Sequence, residues 1–219
     1  MARAPHTTWY NWYANNCLAR ELEALAKPLA GSLVIDVGCG DQPYRAMLAG
    51  FERYIGFDAP GRPESRGKAD AYGDAGALPF ASACADAVLC TEVMEHVPDP
   101  DAMLAEIRRV LKPGGALLLS VPFIWRIHEE PRDYWRFTEY GLRLIVERAG
   151  MRVESLTATD GYAAVVLQAR AHFLYHASGK WKPLVRPLVW LFQAVAQALR
   201  PFDRNRRMVS NYVVLARKA

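Results

Sequence analysis

Apolar and polar positions along this chain fall into short apolar runs, separated by stretches in which apolar residues recur every three to four positions. The runs at 33–37, 53–57, 69–72, 85–90, 116–121, 152–159 and 211–217 read as strands. Between them lie helix patterns. Leu18, Leu22, Leu25 and Leu29 share one stripe, closed by Pro28 and Gly31. Ala46, Met47 and Leu48 suggest a short helix. Asp99 is a good N-cap with Pro100 at the first helical position, and Leu104, Ile107, Val110 and Leu111 form the stripe that Lys112-Pro113-Gly114-Gly115 ends. Thr138 caps the next helix, Phe137 and Leu142 have the spacing of a hydrophobic staple, and Gly150 stops it. Strands alternating with helices predict an α/β domain.

A longer helix pattern precedes the last strand. Leu184, Val185, Leu188, Leu191, Phe192, Val195 and Leu199 form an apolar stripe, Arg186, Gln193, Gln197 and Arg200 share the opposite face, and Trp190 lies near its edge. A basic amphipathic helix with a tryptophan suits a membrane interface, and the same pattern serves as a lid or a dimer face. The chain therefore divides into a helical cap (1–31), a core (32–160) and a helical insert (165–208) before the last strand, all in one domain. The start of the cap, Trp9-Tyr10-Asn11-Trp12-Tyr13, is aromatic enough to cover a cofactor pocket or to pack on the sheet edge.

The 219 residues, 52% of them hydrophobic, suffice for one real core. Cys17, Cys39, Cys84 and Cys90 lack C-x-x-C spacing and nearby paired histidines, so reduced thiols in a cytoplasmic protein are expected, and no metal. Neither a signal peptide nor a run of about 20 apolar residues is expected. The net charge of +4 is uneven: residues 171–219 hold nine Lys or Arg against Asp203, and the first 170 residues are net acidic. That end suits an anionic partner or is a solvated tail. Peripheral contact with the inner membrane surface through 184–207 is one such partner.

Candidate chemistry begins at Asp36-Val37-Gly38-Cys39-Gly40. Two glycines after a strand allow positive φ and close approach of a ligand to the backbone. A G-x-G-x-x-G dinucleotide turn fails at its third glycine, which is Pro43 here. Asp58 ends the second strand, where doubly wound sheets hydrogen-bond a ribose diol. The string Asp36-x-Gly38-x-Gly40 resembles motif I of the class I S-adenosylmethionine-dependent methyltransferases, [D/E]-x-G-x-G-x-G, with Gln42 replacing the last glycine. Further segments resemble the family's small-molecule branch: Gly73-Asp74-Ala75, the strand from Ala85 leading into Glu95-His96-Val97, and Leu111-Lys112-Pro113-Gly114-Gly115. The resemblance implies a Rossmann-like three-layer α/β/α sandwich, with a seven-stranded, mostly parallel sheet and an antiparallel last strand. It also implies S-adenosyl-L-methionine as cofactor and S-adenosyl-L-homocysteine as product. The cofactor-binding set would be Asp36, Gly38, Cys39, Gly40, Asp58, Ala59, Asp74, Ala75, Thr91 and Glu92, with Asp74 and Ala75 on the adenine. No N-P-P-Y follows the fourth strand and Cys90 sits inside it, which disfavours base methylation.

Residues 122–137 form a polar-aromatic loop at the carboxyl end of the fifth strand, the address of substrate contacts in an open α/β sheet. It resembles the H-E-x-P-x-D-Y-x-R-[FY]-T loop of a subset of the family. His128, Glu129 and His96 are candidate catalytic bases, each with a rival role in pinning a loop or turn. Arg132, Tyr134, Trp135 and Arg136 are candidate substrate-binding residues, the arginines alternatively pairing with Glu130 and Asp133. His172 and His176, four apart without a third ligand beside them, read as surface histidines. The function expected is methyl transfer to an oxygen or nitrogen of a small-molecule or saccharide/lipid-linked acceptor. A catalytically silent cofactor-binding protein and, less favoured, a nucleic-acid methyltransferase are the alternatives.

Overall fold

The computed structural model describes residues 9–61, 67–203 and 205–219. The expected loop at 59–68 and the basic tail therefore lie partly outside the described residues, Arg204 among those omitted. The chain runs α1 (Trp12–Ala26), β1 (Gly31–Val37), β2 (Phe51–Asp58), β3 (Ala71–Tyr72), β4 (Ala85–Thr91), α2 (Pro100–Val110) and β5 (Leu111–Pro122). It continues through α3 (Glu139–Arg148), β6 (Met151–Ala158), α4 (Tyr162–Ala177), α5 (Lys182–Leu199) and β7 (Asn211–Lys218).

The seven strands form one sheet in the order β3-β2-β1-β4-β5-β7-β6. All neighbours pair in parallel except β7, which is antiparallel to both β5 and β6. The central strands are buried continuously because both faces are covered, and adjacent residues serve opposite faces. Ile35, Leu117, Leu119 and Val214 pack with Met103, Leu104, Ile107 and Val146 of α2 and α3. Val34, Leu118, Val213 and Leu215 pack on the other face with Leu18, Leu22 and Ala26 of α1.

Local signals act where the sequence placed them. The Asp99 carboxylate accepts from Ala102 N–H and the Thr138 hydroxyl oxygen accepts from Gly141 N–H, each satisfying one orphan donor of a helix start. Phe137 and Leu142 are both buried in the same core. Helix α2 ends at Val110, one residue before the end of the expected stripe, because Leu111 already pairs with Ala85 as the first residue of β5.

Two expectations need correction. The aromatic N-terminal segment does not cover the cofactor side. Trp9 packs edge-on to Tyr175 and stacks near Trp190, and Tyr10 stacks on Tyr175, so the segment docks on α4 and α5. Helix α5 leaves much of its apolar stripe outward, as a membrane or dimer face would, and buries part of its polar face. Val189, Gln193 and Ala196 face inward, while Leu184, Leu188, Leu191 and Leu199 are exposed. The reason is a pair of hydrogen bonds: the Gln193 side chain accepts from Tyr13 N–H and donates to Trp9 C=O. His172 is half-buried beside Trp125 and bonded to the Asn11 amide oxygen, so it is not a surface histidine; His176 is exposed.

Candidate active site

The strand order reverses between β1 and β4, the switch point at which open α/β sheets carry their ligand crevice. A cleft of about 520 Å³ lies there, within the range of ligand pockets. Its walls bring together Gly38 and Gly40 after β1, Asp58 and Ala59 after β2, Asp74 and Ala75 after β3, and Glu92 after β4. His96, Glu129 and Arg132 complete one end.

The Gly turn is built from backbone necessity. Gly38 has φ 75° and a Cβ there would meet Val93 Cγ2 at 2.1 Å, so this glycine answers to the protein's own packing. Gly40 has φ 51° with open space on its Cβ side, and it lines the cleft. Gln42, at the motif's third glycine position, itself adopts φ 60°. Its amide tolerates that by donating to Lys68 C=O at 2.5 Å and accepting from Arg45 at 3.0 Å. The departure from the motif keeps the loop's backbone path at a strain of about 1–3 kcal/mol.

Asp58 is held ready. One carboxylate oxygen accepts from Gly40 N–H at 2.9 Å and the other from Ala59 N–H at 2.7 Å. Each oxygen retains a lone pair, which suits two vicinal hydroxyls. Asp74 accepts from Gly76 N–H at 2.8 Å and stands on the wall. Glu92, held in the left-handed region at φ 54°, accepts from Ser120 Oγ and Asn211 Nδ2, and burial pushes its carboxyl up to about 7. These residues fit a nucleoside-bearing cofactor with a cationic centre.

Other cofactor candidates stand behind the wall. Asp36 is fully buried, accepts from Tyr54 O–H at 2.5 Å, and keeps one carboxylate oxygen without a hydrogen-bond partner; burial raises its carboxyl to about 7. Cys39 packs its thiol towards Gly56, and Thr91 pairs with Ser120 inside the sheet. None of the three lines the cleft.

The 122–137 loop divides by role. Arg132 lines the cleft, whereas Arg136 is spent internally: it bridges both Asp133 oxygens and donates to Arg126 and Trp135 carbonyls. Tyr134 and Trp135 anchor the loop through their backbone N–H groups on Glu95 C=O, and the Trp135 indole donates to Val97 C=O at 3.0 Å. Neither ring lines the cleft.

Of the candidate bases, His96 and Glu129 are on the wall, and His128 is one layer behind with its ring edge-on to His96 at 4.7 Å. His96 Nδ1 donates to Arg132 C=O at 2.6 Å, so in the neutral ring the lone pair is on Nε2, 4.0 Å from the Glu129 carboxylate. His128 Nδ1 faces Asp133 at 3.2 Å, and burial lowers its basicity. Sequence reasoning missed Glu95. It is wholly buried beneath both histidines, neither carboxylate oxygen has a hydrogen-bond partner, and burial, reinforced by the charge of Glu92, raises it well above the usual carboxylate range. The signal available was its place between Glu92 and His96 in a turn facing the crevice.

Comparison with known proteins agrees with this geometry. Residues 35–119 match the family described as a methyltransferase domain. An uncharacterized methyltransferase of Mycobacterium leprae is 39% identical over 107 residues, 45% of this chain and 39% of that protein. A ubiquinone biosynthesis O-methyltransferase of Thiobacillus denitrificans is 35% identical over 105 residues, 42% of this chain and 45% of that protein. The chain thus matches less than half the length of these curated relatives. The fold is also that of Haemonchus contortus phosphoethanolamine N-methyltransferase 2, solved with S-adenosyl-L-methionine, at 17% identity and a TM-score of 0.59, covering 95% of this chain and 56% of that one. Motif turn, sheet order and family match converge on residues 35–119, which carry a methyltransferase domain of the class I S-adenosylmethionine-dependent type.

Proposed function

We propose that this protein transfers the methyl group of S-adenosyl-L-methionine to an oxygen or nitrogen of a small-molecule or saccharide/lipid-linked acceptor. One observation carries the reading: the pinned Asp58 carboxylate and the His96–Glu129–Arg132 corner share a single cleft. Asp58 would hold the ribose diol, Asp74 and Ala75 the adenine, and Gly40 the approach of the cofactor to the backbone. The cofactor supplies an activated methyl on a good leaving group, so the chain's work is alignment and proton removal. Glu129 is the proton acceptor. It stands at the rim with 41% of its side chain exposed and φ 53°, so a proton taken from the acceptor can leave to water. Arg132 on the same wall suits an anionic group of the acceptor.

Calorimetric titration of S-adenosyl-L-homocysteine tests the cofactor half. Micromolar binding is expected, and Asp58→Asn should weaken it by about 1.5–3 kcal/mol. Equal binding by both proteins would remove Asp58 from the site. Binding without turnover of hydroxylated or aminated acceptors, across a panel that includes quinol and lipid-linked compounds, would favour the silent cofactor-binding alternative.

A second reading concerns where the acceptor is met. We propose that the outer face of α5 and the turn before it rest on an anionic lipid surface. Leu184 and Leu191 are 72% and 55% exposed, Trp181 is 59% exposed, and Lys180 and Arg186 flank them. Apolar side chains in this number beside cations match an anionic interface. No helix is long and apolar enough to cross a membrane among the described residues.

A further inference from the structure

Two segments frame the nucleoside end of the cleft, and the backbone ties each of them to β2. On one side, the Gly38 and Cys39 N–H groups both donate to Phe57 C=O, and Gly40 N–H donates to the Asp58 carboxylate. On the other, Asp70 N–H donates to Gly56 C=O at 2.8 Å and the Asp70 carboxylate accepts from Gly56 N–H at 2.8 Å. Gly73 N–H adds a bond to Asp58 C=O at 3.0 Å. β3 is two residues long and lies at the sheet edge, paired with β2 alone. The segment that carries Asp74 and Ala75 therefore has little ladder of its own.

Gln42 closes the third side, between the two segments. Its Nε2 donates across to Lys68 C=O at 2.5 Å, while its Oε1 accepts from Arg45 Nη1 at 3.0 Å. A guanidinium only donates and a carbonyl only accepts, so one orientation of the amide satisfies both. The neighbouring Asp41–Lys68 pair, 3.7 Å apart with the lysine half exposed, is a surface contact worth little. Gly56 leaves room for the arrangement: a Cβ there would stand 2.9 Å from both Gln42 Nε2 and Cys39 Sγ. Gln42 holds φ 60° at the position where the motif has glycine. Glycine would adopt that angle freely but has no side chain to reach Lys68. Backbone strain of this kind, beside a ligand cleft, points to a task that the strained side chain performs.

We propose that Gln42 is a positioning residue for the cofactor: it clips the segment bearing Asp74 and Ala75 to the glycine turn and so sets the width of the nucleoside end of the cleft. This rests on the methyl-transfer reading, which puts the cofactor there. With the clip made, adenine and ribose meet walls already at their bound separation. Without it, part of the binding energy goes into ordering residues 67–75. Glutamate at this position keeps the length and the bond from Arg45 but turns an acceptor towards Lys68 C=O. Glycine removes both bonds and relieves the backbone.

The test is calorimetric titration of two ligands into the wild type, Gln42→Glu and Gln42→Gly. One is S-adenosyl-L-homocysteine; the other is 5′-methylthioadenosine, which carries the nucleoside without the amino acid. Each variant should bind both ligands about tenfold more weakly, the loss expected when ordinary hydrogen bonds are removed. Deuterium uptake at residues 67–75 should quicken in both ligand-free variants. A role in stability alone would leave the affinities of the folded variants in place. Either variant binding as the wild type does would therefore overturn the proposal. A loss confined to S-adenosyl-L-homocysteine, or unchanged uptake at 67–75, would overturn it equally. A wild type that binds neither ligand would instead remove the cofactor reading, and the proposal with it.

Discussion

At the scale of single residues, the first glycine of the turn after β1 is constrained by the protein's own packing. Gly38→Ala places a methyl 2.1 Å from Val93 Cγ2 at φ 75°, two separable penalties. The variant should lose more than about 2 kcal/mol in urea unfolding. Adding Val93→Ala should recover the steric part and leave about 1 kcal/mol from the backbone. Full recovery would show that the left-handed conformation costs nothing here. Asp160 tests burial in the same way. It is 2% exposed, accepts from Ser210 N–H and Oγ, and burial pushes its carboxyl up to about 6. A raised folded-state value means the native state holds the proton that the unfolded chain releases, so this group's contribution falls as pH rises from about 4 to about 6 and is then flat. Asp160→Asn should therefore look progressively better relative to wild type across that window. A difference in melting temperature that is constant with pH would refute the assignment.

At the scale of elements, helix α5 shows that an amphipathic pattern fixes a helix but not its rotation. The apolar stripe is turned outward and the polar face inward because Gln193 bonds two backbone groups of the N-terminal segment. Gln193→Leu leaves Tyr13 N–H and Trp9 C=O without those partners, a loss of about 2 kcal/mol or more. It should also loosen the start of α1, seen as earlier proteolysis ahead of Tyr13. Unchanged proteolysis would mean that the aromatic contacts of Trp9 and Tyr10 with Tyr175 hold the segment unaided. The exposed stripe has its own consequence. Phosphatidylglycerol vesicles should sediment the protein at low ionic strength, and Leu184→Asp with Leu191→Asp should abolish this. No sedimentation, or a concentration-dependent dimer in ultracentrifugation that buries the same face, would overturn the lipid assignment.

At the scale of the whole molecule, the sheet order gathers residues from four strand ends and a distant loop into one cleft. Its two ends are chemically unlike: carboxylates with backbone donors at the nucleoside end, and imidazoles, Glu129 and Arg132 at the other. That polarity suits a reaction in which the cofactor is recognised at one end and the proton handled at the other. Glu92 stands between them with its carboxyl raised to about 7. A cation bound alongside favours its ionised form. S-adenosyl-L-methionine, a sulfonium, should therefore bind with proton release near pH 7, measured as a buffer-dependent calorimetric enthalpy. The neutral thioether product should release less. Identical release by the two ligands would place Glu92 away from the sulfur.

Strand positions, helix caps and the glycine turn were legible in the sequence because each depends on a few adjacent residues. Alternation set the faces of β1 and β5, and Asp99 and Thr138 started their helices through bonds that span three residues. Asp58 and Glu129 could be named as candidates because ligand contacts gather at strand ends in an open α/β sheet, and Asp74 because its segment resembles the family's. Contacts between distant segments decided the rest. Asp36 and Cys39 stand behind the wall, and α5 turns on a glutamine 180 residues from its partner Tyr13. Glu95 lies beside His128 only because folding brings the 122–137 loop over the turn after β4. A one-dimensional pattern reports periodicity and local bonding; which buried groups meet is fixed only when the chain closes on itself.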